Sequence, residues 1–162
     1  MADIQSTVMY KPLPPQPATL VIIGSHEDPI YSVKLDGNMT VGRRSDVDIR
    51  LSSPIVSRVH GQFTWNSSDQ CYYYMDCNSL NGTFFNGTIM KKLNERGSRA
   101  QRLEDGDILR ITRRDPDNPH PDAVMMIYST SFSVNDKCVR YRIGNDVNTI
   151  KIGRSEDSVI NI

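Results

Sequence analysis

The sequence predicts an all-β sandwich, and three observations predict it. Apolar residues fall in short runs or strict alternation, and no long window sustains an apolar 3.6-residue period. Turn formers separate those runs at frequent intervals. The length, 162 residues, suits one core of this kind with an appendage.

The elements follow in order. Residues 1–18 read as a flexible tail, because Pro12, Pro14, Pro15 and Pro17 favour extended conformations and bury little. "LVII" (Leu20–Ile23) is an apolar run, and "YSVKL" (Tyr31–Leu35) alternates with period two. "MTVG", "DIRL", "GQFTW", "CYYYMD", "TFF", "TIM", "DILRIT" and "AVMMIYS" follow, divided by Asp-Gly, Asn-Gly, Asp-Pro and Ser-Ser. About eleven short strands of this sort make a sandwich. "RRDPDNPHPD" (Arg113–Asp122) is then a polar loop between its last two strands.

An internal repeat adds a second level of organisation. "GRRSDVDIRL" (Gly42–Leu51) aligns without gaps on "GRSEDSVINI" (Gly153–Ile162), and "YSVKLDGN" matches "VRYRIGND" with a longer following turn in the second copy. Residues 132–162 therefore read as the opening strands of an incomplete second copy. An unfinished sheet leaves open edges, so this segment is expected to pack on the first domain or to mediate self-association.

Charge and cysteine content exclude several classes. Lys+Arg and Asp+Glu both number 19, so no cationic excess marks a nucleic-acid or membrane-surface binder. No apolar run is long enough to span a bilayer, and the N-terminus lacks the apolar core of a secretory signal. Cys71, Cys77 and Cys138 are odd in number and form no Cys-x-x-Cys, which argues against a disulfide framework or a zinc site. Free thiols suit a reducing cytoplasm. Asn38, Asn66, Asn81 and Asn86 each head an Asn-x-Ser/Thr triplet, a short pattern that carries no weight without a secretory signal.

Three stretches concentrate residues suited to an anion. In "VGRRSDVDIRL", Arg43 follows Gly42 at a strand end. In "SPIVSRVHGQF" (Ser53–Phe63), Ser57 and Arg58 lie on a loop between two strands. Two arginine forks and a hydroxyl converging from two loops would make a compact phosphate site. "SLNGTFFNG" (Ser79–Gly87) adds Asn81 and Asn86, whose amides can donate to and accept from an extended peptide. Ser57, His60 and Asp76 have the residue types of a catalytic triad, yet no nucleophile-elbow motif is present. No P-loop, dinucleotide fingerprint or metal cluster appears, so no enzyme and no cofactor is expected.

In order and spacing these stretches, with "LEDGDILRI" (Leu103–Ile111) closing the set, resemble the forkhead-associated (FHA) domain, a phosphothreonine-peptide binding module. The resemblance covers residues 19–131. It implies an FHA-type sandwich with recognition loops at one end, and phosphate contacts from Arg43, Ser57 and Arg58. It implies peptide contacts from Asn81, Asn86 and the rim residue Leu80, and structural support from Gly42, His60, Gly82 and Thr83. It also implies a partner phosphorylated by a Ser/Thr kinase. Leu80 departs from the family, in which several members carry Thr or Ser there to help hold the phosphate. The other function open to such a domain is phospho-independent assembly within a larger tandem-FHA protein.

Overall fold

The computed structural model describes residues 16–24, 29–113, 120–131, 152–153 and 160–161. The Pro-rich segment before residue 16, the middle of the Arg113–Asp122 loop, Cys138 and nearly all of residues 132–162 lie outside them.

Strands β1 (Ala18–Ile23), β2 (Tyr31–Leu35), β7 (Phe84–Phe85), β8 (Thr88–Ile89), β10 (Ile108–Ile111) and β11 (Val124–Ser129) form a six-stranded sheet in the order β2-β1-β11-β10-β7-β8. The second sheet runs β4-β3-β5-β6-β9, from β3 (Met39–Gly42), β4 (Ile49–Arg50), β5 (Gly61–Asn66), β6 (Cys71–Asp76) and β9 (Gln101–Arg102). These eleven strands make the expected all-β sandwich, and among the described residues no helix is long and apolar enough to cross a membrane.

Alternation decides which side chains face inward. Val124, Met126 and Tyr128 on β11, and Leu109 and Ile111 on β10, turn to the core. From the facing sheet come Val41, Phe63, Tyr72 and Tyr74. Each such side chain contributes about 1.5–3 kcal/mol when fully buried. Tyr72 bridges the two sheets edge-on to Tyr128 with ring centroids 6.3 Å apart, and Phe63 lies 4.9 Å from Tyr74. β1 is buried along almost its whole length. That matches an unbroken apolar run, not an alternating one.

β9 is the strand the pattern does not announce. "QR" is polar and two residues long, and it exists because the edge of β6 offers Tyr73 and Tyr74 as partners for Arg102 and Gln101.

β3 and β4 pair parallel, Val41 with Ile49 and Gly42 with Arg50. β12 (Ile152–Gly153) and β13 (Ile160–Asn161) also pair parallel, Ile152 with Ile160 and Gly153 with Asn161. These are the residues that align with the first copy, in the same register.

Register also gathers the loops. Val41 pairs with Gly61, and Gly61 with Asp76. The end of β3, the start of β5 and the end of β6 therefore lie side by side. The segments 43–48, 51–60 and 77–83 leave the sheet together at that end.

Candidate functional site

Backbone hydrogen bonds first sew the two arginine-bearing loops into one unit. The Arg43 N–H donates to the Ser57 carbonyl (3.0 Å) and the Arg44 N–H to that of Arg58 (3.1 Å). The His60 N–H closes the loop onto the Val41 carbonyl at 2.8 Å. Gly42 makes this approach feasible: a Cβ there would stand 2.3 Å from the Arg58 carbonyl oxygen. That is backbone, which cannot swing aside, so the Gly-Arg pair is a steric requirement before it is a chemical one.

Arg43 is then aimed. Its Nε donates to the Val56 carbonyl at 3.3 Å, which fixes the plane of the guanidinium and leaves the terminal nitrogens for a ligand. Ser57 Oγ accepts the Leu80 N–H at 2.8 Å, tying the second loop to the third. That bond uses a lone pair, so the hydroxyl proton remains available to an acceptor. Arg58 is exposed beside them. Arg43, Arg44, Ser57, Arg58, Asn78 and Leu80 all face one open groove of about 680 Å³. No carboxylate lines it, and Asp46 nearby is engaged by Arg44 Nε.

The third loop rests on a buried polar cluster. Asp76, fully buried, accepts the Ser79 N–H at 2.8 Å through Oδ1. Its Oδ2 accepts the hydroxyls of Ser79 (2.7 Å) and Thr83 (2.9 Å). Thr83 Oγ1 meets the Tyr74 hydroxyl at 3.1 Å, and Ser79 Oγ accepts the Gly82 N–H at 2.9 Å. Burial pushes the Tyr74 phenol far above its ordinary value, so it stays neutral. Among the residues expected from sequence to support the site, Gly42, His60, Gly82 and Thr83 all stand in this framework. Asp76, Ser79 and Tyr74 join them unannounced. Their only sequence signal is the Asp-x-x-Ser spacing of a side-chain-closed turn.

His60 joins the loops from below. Its Nδ1 accepts the Ser57 N–H at 3.1 Å, so Nε2 carries the proton, 3.3 Å from the Gly82 carbonyl and 3.8 Å from Asp76 Oδ2. It touches the main chain of Ser57, not the hydroxyl. A Ser–His–Asp catalytic arrangement is therefore absent from these three residues. Burial lowers the His60 pKa below 6.5, against the raising pull of Asp76 and the Gly82 carbonyl. The unfolded chain thus takes up the proton first as pH falls. Stability from this group is complete above about 6.5 and declines as pH drops towards the folded value. Urea midpoints are expected to fall between pH 7.5 and 5.5, and the decline is expected to be shallower in His60→Gln. Parallel slopes for the two proteins would contradict it.

Asn81 and Asn86 diverge. Asn81 Nδ2 donates to the Ile55 carbonyl at 2.7 Å, so the side chain stands over the second loop beside the groove. Asn86 sits at a hairpin turn with φ of 47°. Its Nδ2 donates to Asp107 Oδ1 at 2.8 Å and its Oδ1 accepts the Ile108 N–H at 2.9 Å, which fastens the β7–β8 turn to β10. Arg43, Ser57, Arg58 and Leu80 line one groove, and Asn81 is tied to its Ile55 wall without lining it; the amide of Asn86 is engaged elsewhere.

Fold and site together define a β-sandwich with a cationic groove on its end loops. Residues 39–112 match the family model of the FHA domain. The N-terminal FHA domain of S. cerevisiae Rad53p, solved with a phosphothreonine peptide, is similar in fold. It is 21% identical, with 68% of this chain and 92% of that one covered and a TM-score of 0.52. Full-length yeast Pml1p is similar at 21% identity, 70% and 81% coverage and a TM-score of 0.57. The Slr1951 protein from Synechocystis sp. is similar at 26% identity, 69% and 96% coverage and a TM-score of 0.51. No curated protein matches the chain in sequence.

Proposed function

We propose that this domain is a phosphothreonine-dependent interaction module, binding a phosphorylated segment of another protein in the groove between residues 43–44, 54–59 and 78–80. The observation that carries the reading is the convergence of Arg43, Arg58 and the free Ser57 proton on a groove that no carboxylate lines. A phosphate brings roughly −1.5 to −2 charge and several acceptor oxygens, which match two guanidinium forks and a hydroxyl. Asn81 keeps its Oδ1 for a peptide N–H, since its nitrogen is the atom tied to Ile55. Rad53p and an engineered FHA domain solved with a Myc-pTBD peptide supply precedent for the fold binding peptides. The partner on this reading is the substrate of a Ser/Thr kinase, met in the cytoplasm, and the domain acts without catalysis or cofactor.

Titration of a phosphothreonine peptide and its unphosphorylated twin tests this. Binding of the phosphorylated form alone, weakening from low to high salt, is expected because the charges involved are exposed. Equal affinity for both peptides sinks the reading.

The second reading is phospho-independent assembly within a tandem-FHA parent. The parallel β12–β13 pair favours it, since its register copies that of β3–β4. On that reading residues 132–162 begin a second repeat and mediate association between domains, and the unphosphorylated peptide competes equally.

A further inference from the structure

The segment 91–102 carries five lysines and arginines and a single carboxylate, Glu95, in a chain with 19 residues of each sign. Lys91, Arg96 and Arg99 are exposed, and among the described residues no carboxylate lies within ion-pairing distance of them. The loop that holds them is well braced. The Leu93 N–H donates to the Asp76 carbonyl at 3.0 Å, and the Asn94 N–H to Asn78 Oδ1 at 2.7 Å. Two successive turns follow, closed by the Glu95 N–H on the Lys92 carbonyl and the Ser98 N–H on that of Glu95, both at 2.9 Å. Lys91 Nζ folds over Gly97 to reach the Arg96 carbonyl at 3.1 Å. Three like charges on a fixed frame repel one another, and an anionic partner relieves that repulsion.

Both sheets end beside this loop. β8 is the last strand of one sheet and β9 the last of the other. A groove of about 360 Å³ lies between them, lined by Phe85, Ile89, Met90, Lys91, Arg99 and Gln101 among others. It shares no lining residue with the groove of Arg43, Ser57 and Arg58. Alternation leaves both strand edges open. The Met90 N–H goes to the Thr83 carbonyl and Thr88 pairs with Phe85, so the N–H and C=O of Ile89 point away from β7. The Leu103 N–H goes to the Tyr72 carbonyl, so the Arg102 N–H points away from β6. The Ile89 side chain is itself about half exposed.

We propose that this flank is a second interaction surface, separate from the phosphothreonine groove, for an extended acidic segment of another protein. The segment lies along the β8 edge and sets one aliphatic side chain over Phe85 and Met90. Asp or Glu on either side of it meets Lys91, Arg96 and Arg99. An open strand edge selects a polypeptide over a nucleic acid, because its outward backbone groups pair with an extended chain. The one aromatic ring lining the groove, Phe85, is half-buried and offers no platform for a base.

The probe is a labelled peptide, Glu-Asp-Glu-Leu-Glu-Asp-Glu, blocked at both ends. Its controls are the same peptide with Ser for Leu and a short poly-dT oligonucleotide. Fluorescence polarisation reads affinity and amide NMR shifts locate the contact. The acidic peptide is expected to shift Ile89, Lys91 and Arg99 and to leave Arg43, Ser57 and Arg58 unmoved. The Ser peptide is expected to bind roughly tenfold more weakly, in line with burial of one aliphatic side chain. Arg96→Glu combined with Arg99→Glu is expected to weaken the acidic peptide roughly tenfold or more, while a phosphothreonine peptide binds as it does to wild type. Both arginines are exposed, so an unchanged melting curve is expected; if it moves, Arg96→Gln with Arg99→Gln takes the place of the reversal. Shifts confined to the Arg43 groove, equal affinity in the variant or no saturable binding overturns the proposal. An oligonucleotide that binds this flank more tightly than the peptide overturns it too. The result at the flank stands whether or not the phosphothreonine peptide binds.

Discussion

Arg43→Ala is expected to weaken phosphothreonine-peptide binding by roughly 10–100-fold, the worth of one or two hydrogen bonds to a charged group. The melting temperature should hardly move. Arg43 is exposed, and among the described residues the hydrogen bond its side chain gives up is the 3.3 Å bond to the Val56 carbonyl. Arg43→Lys is expected to fall between the two, keeping the charge but losing the planar fork. Arg58→Ala should cost less than Arg43→Ala, because no bond among the described residues pre-aims its guanidinium. Fluorescence polarisation with a labelled phosphopeptide reads all four proteins. An Arg43→Ala affinity within twofold of wild type would remove Arg43 from the site.

The second large effect lies in the core. Asp76→Ala is expected to destabilise the fold by about 3–5 kcal/mol, since it strips a fully buried cluster of the acceptor shared by three donors. The Ser79 N–H and the Ser79 and Thr83 hydroxyls all lose their partner at once. Ser79→Ala removes one hydroxyl and should cost nearer 1 kcal/mol. Urea denaturation at pH 7.5 measures both. A loss below about 1 kcal/mol for Asp76→Ala would mean that the cluster is not stabilising in the way the geometry requires.

The sandwich was legible because core alternation is local: Val124, Met126 and Tyr128 announce a buried face without reference to anything else. The groove was legible in part. Gly42, Arg43 and Ser57 stand in short, ordered stretches; Arg43 and Ser57 line one groove, and Gly42 packs behind it against the Arg58 carbonyl. What sequence could not give is how each amide is used. Asn86 reads as a peptide-facing residue by resemblance, yet its partners, Asp107 just before β10 and Ile108 at its start, lie remote in sequence. Asn81 reads as facing a ligand, and its bond to the Ile55 carbonyl likewise depends on a loop that only folding brings near. Asp76 ends an alternating strand and looks like an ordinary turn acid until burial shows it to be the centre of a cluster. Leu80 reads as a departure from a phosphate-holding hydroxyl, and its place on the cationic groove depends on the bond from its N–H to Ser57 Oγ, which only folding makes.

The bonds through His60 have a further consequence. One imidazole holds the Ser57 main chain with one nitrogen and the Gly82 carbonyl with the other, so the two loops cannot shift independently. Conformational entropy that a looser rim would surrender on meeting a ligand is surrendered during folding instead. Association should therefore be fast and nearly rigid, with little ordering of the loops. A mutational screen scored on lost binding would then recover His60, Asp76 and Tyr74 as readily as Arg43, although none of the three reaches the ligand.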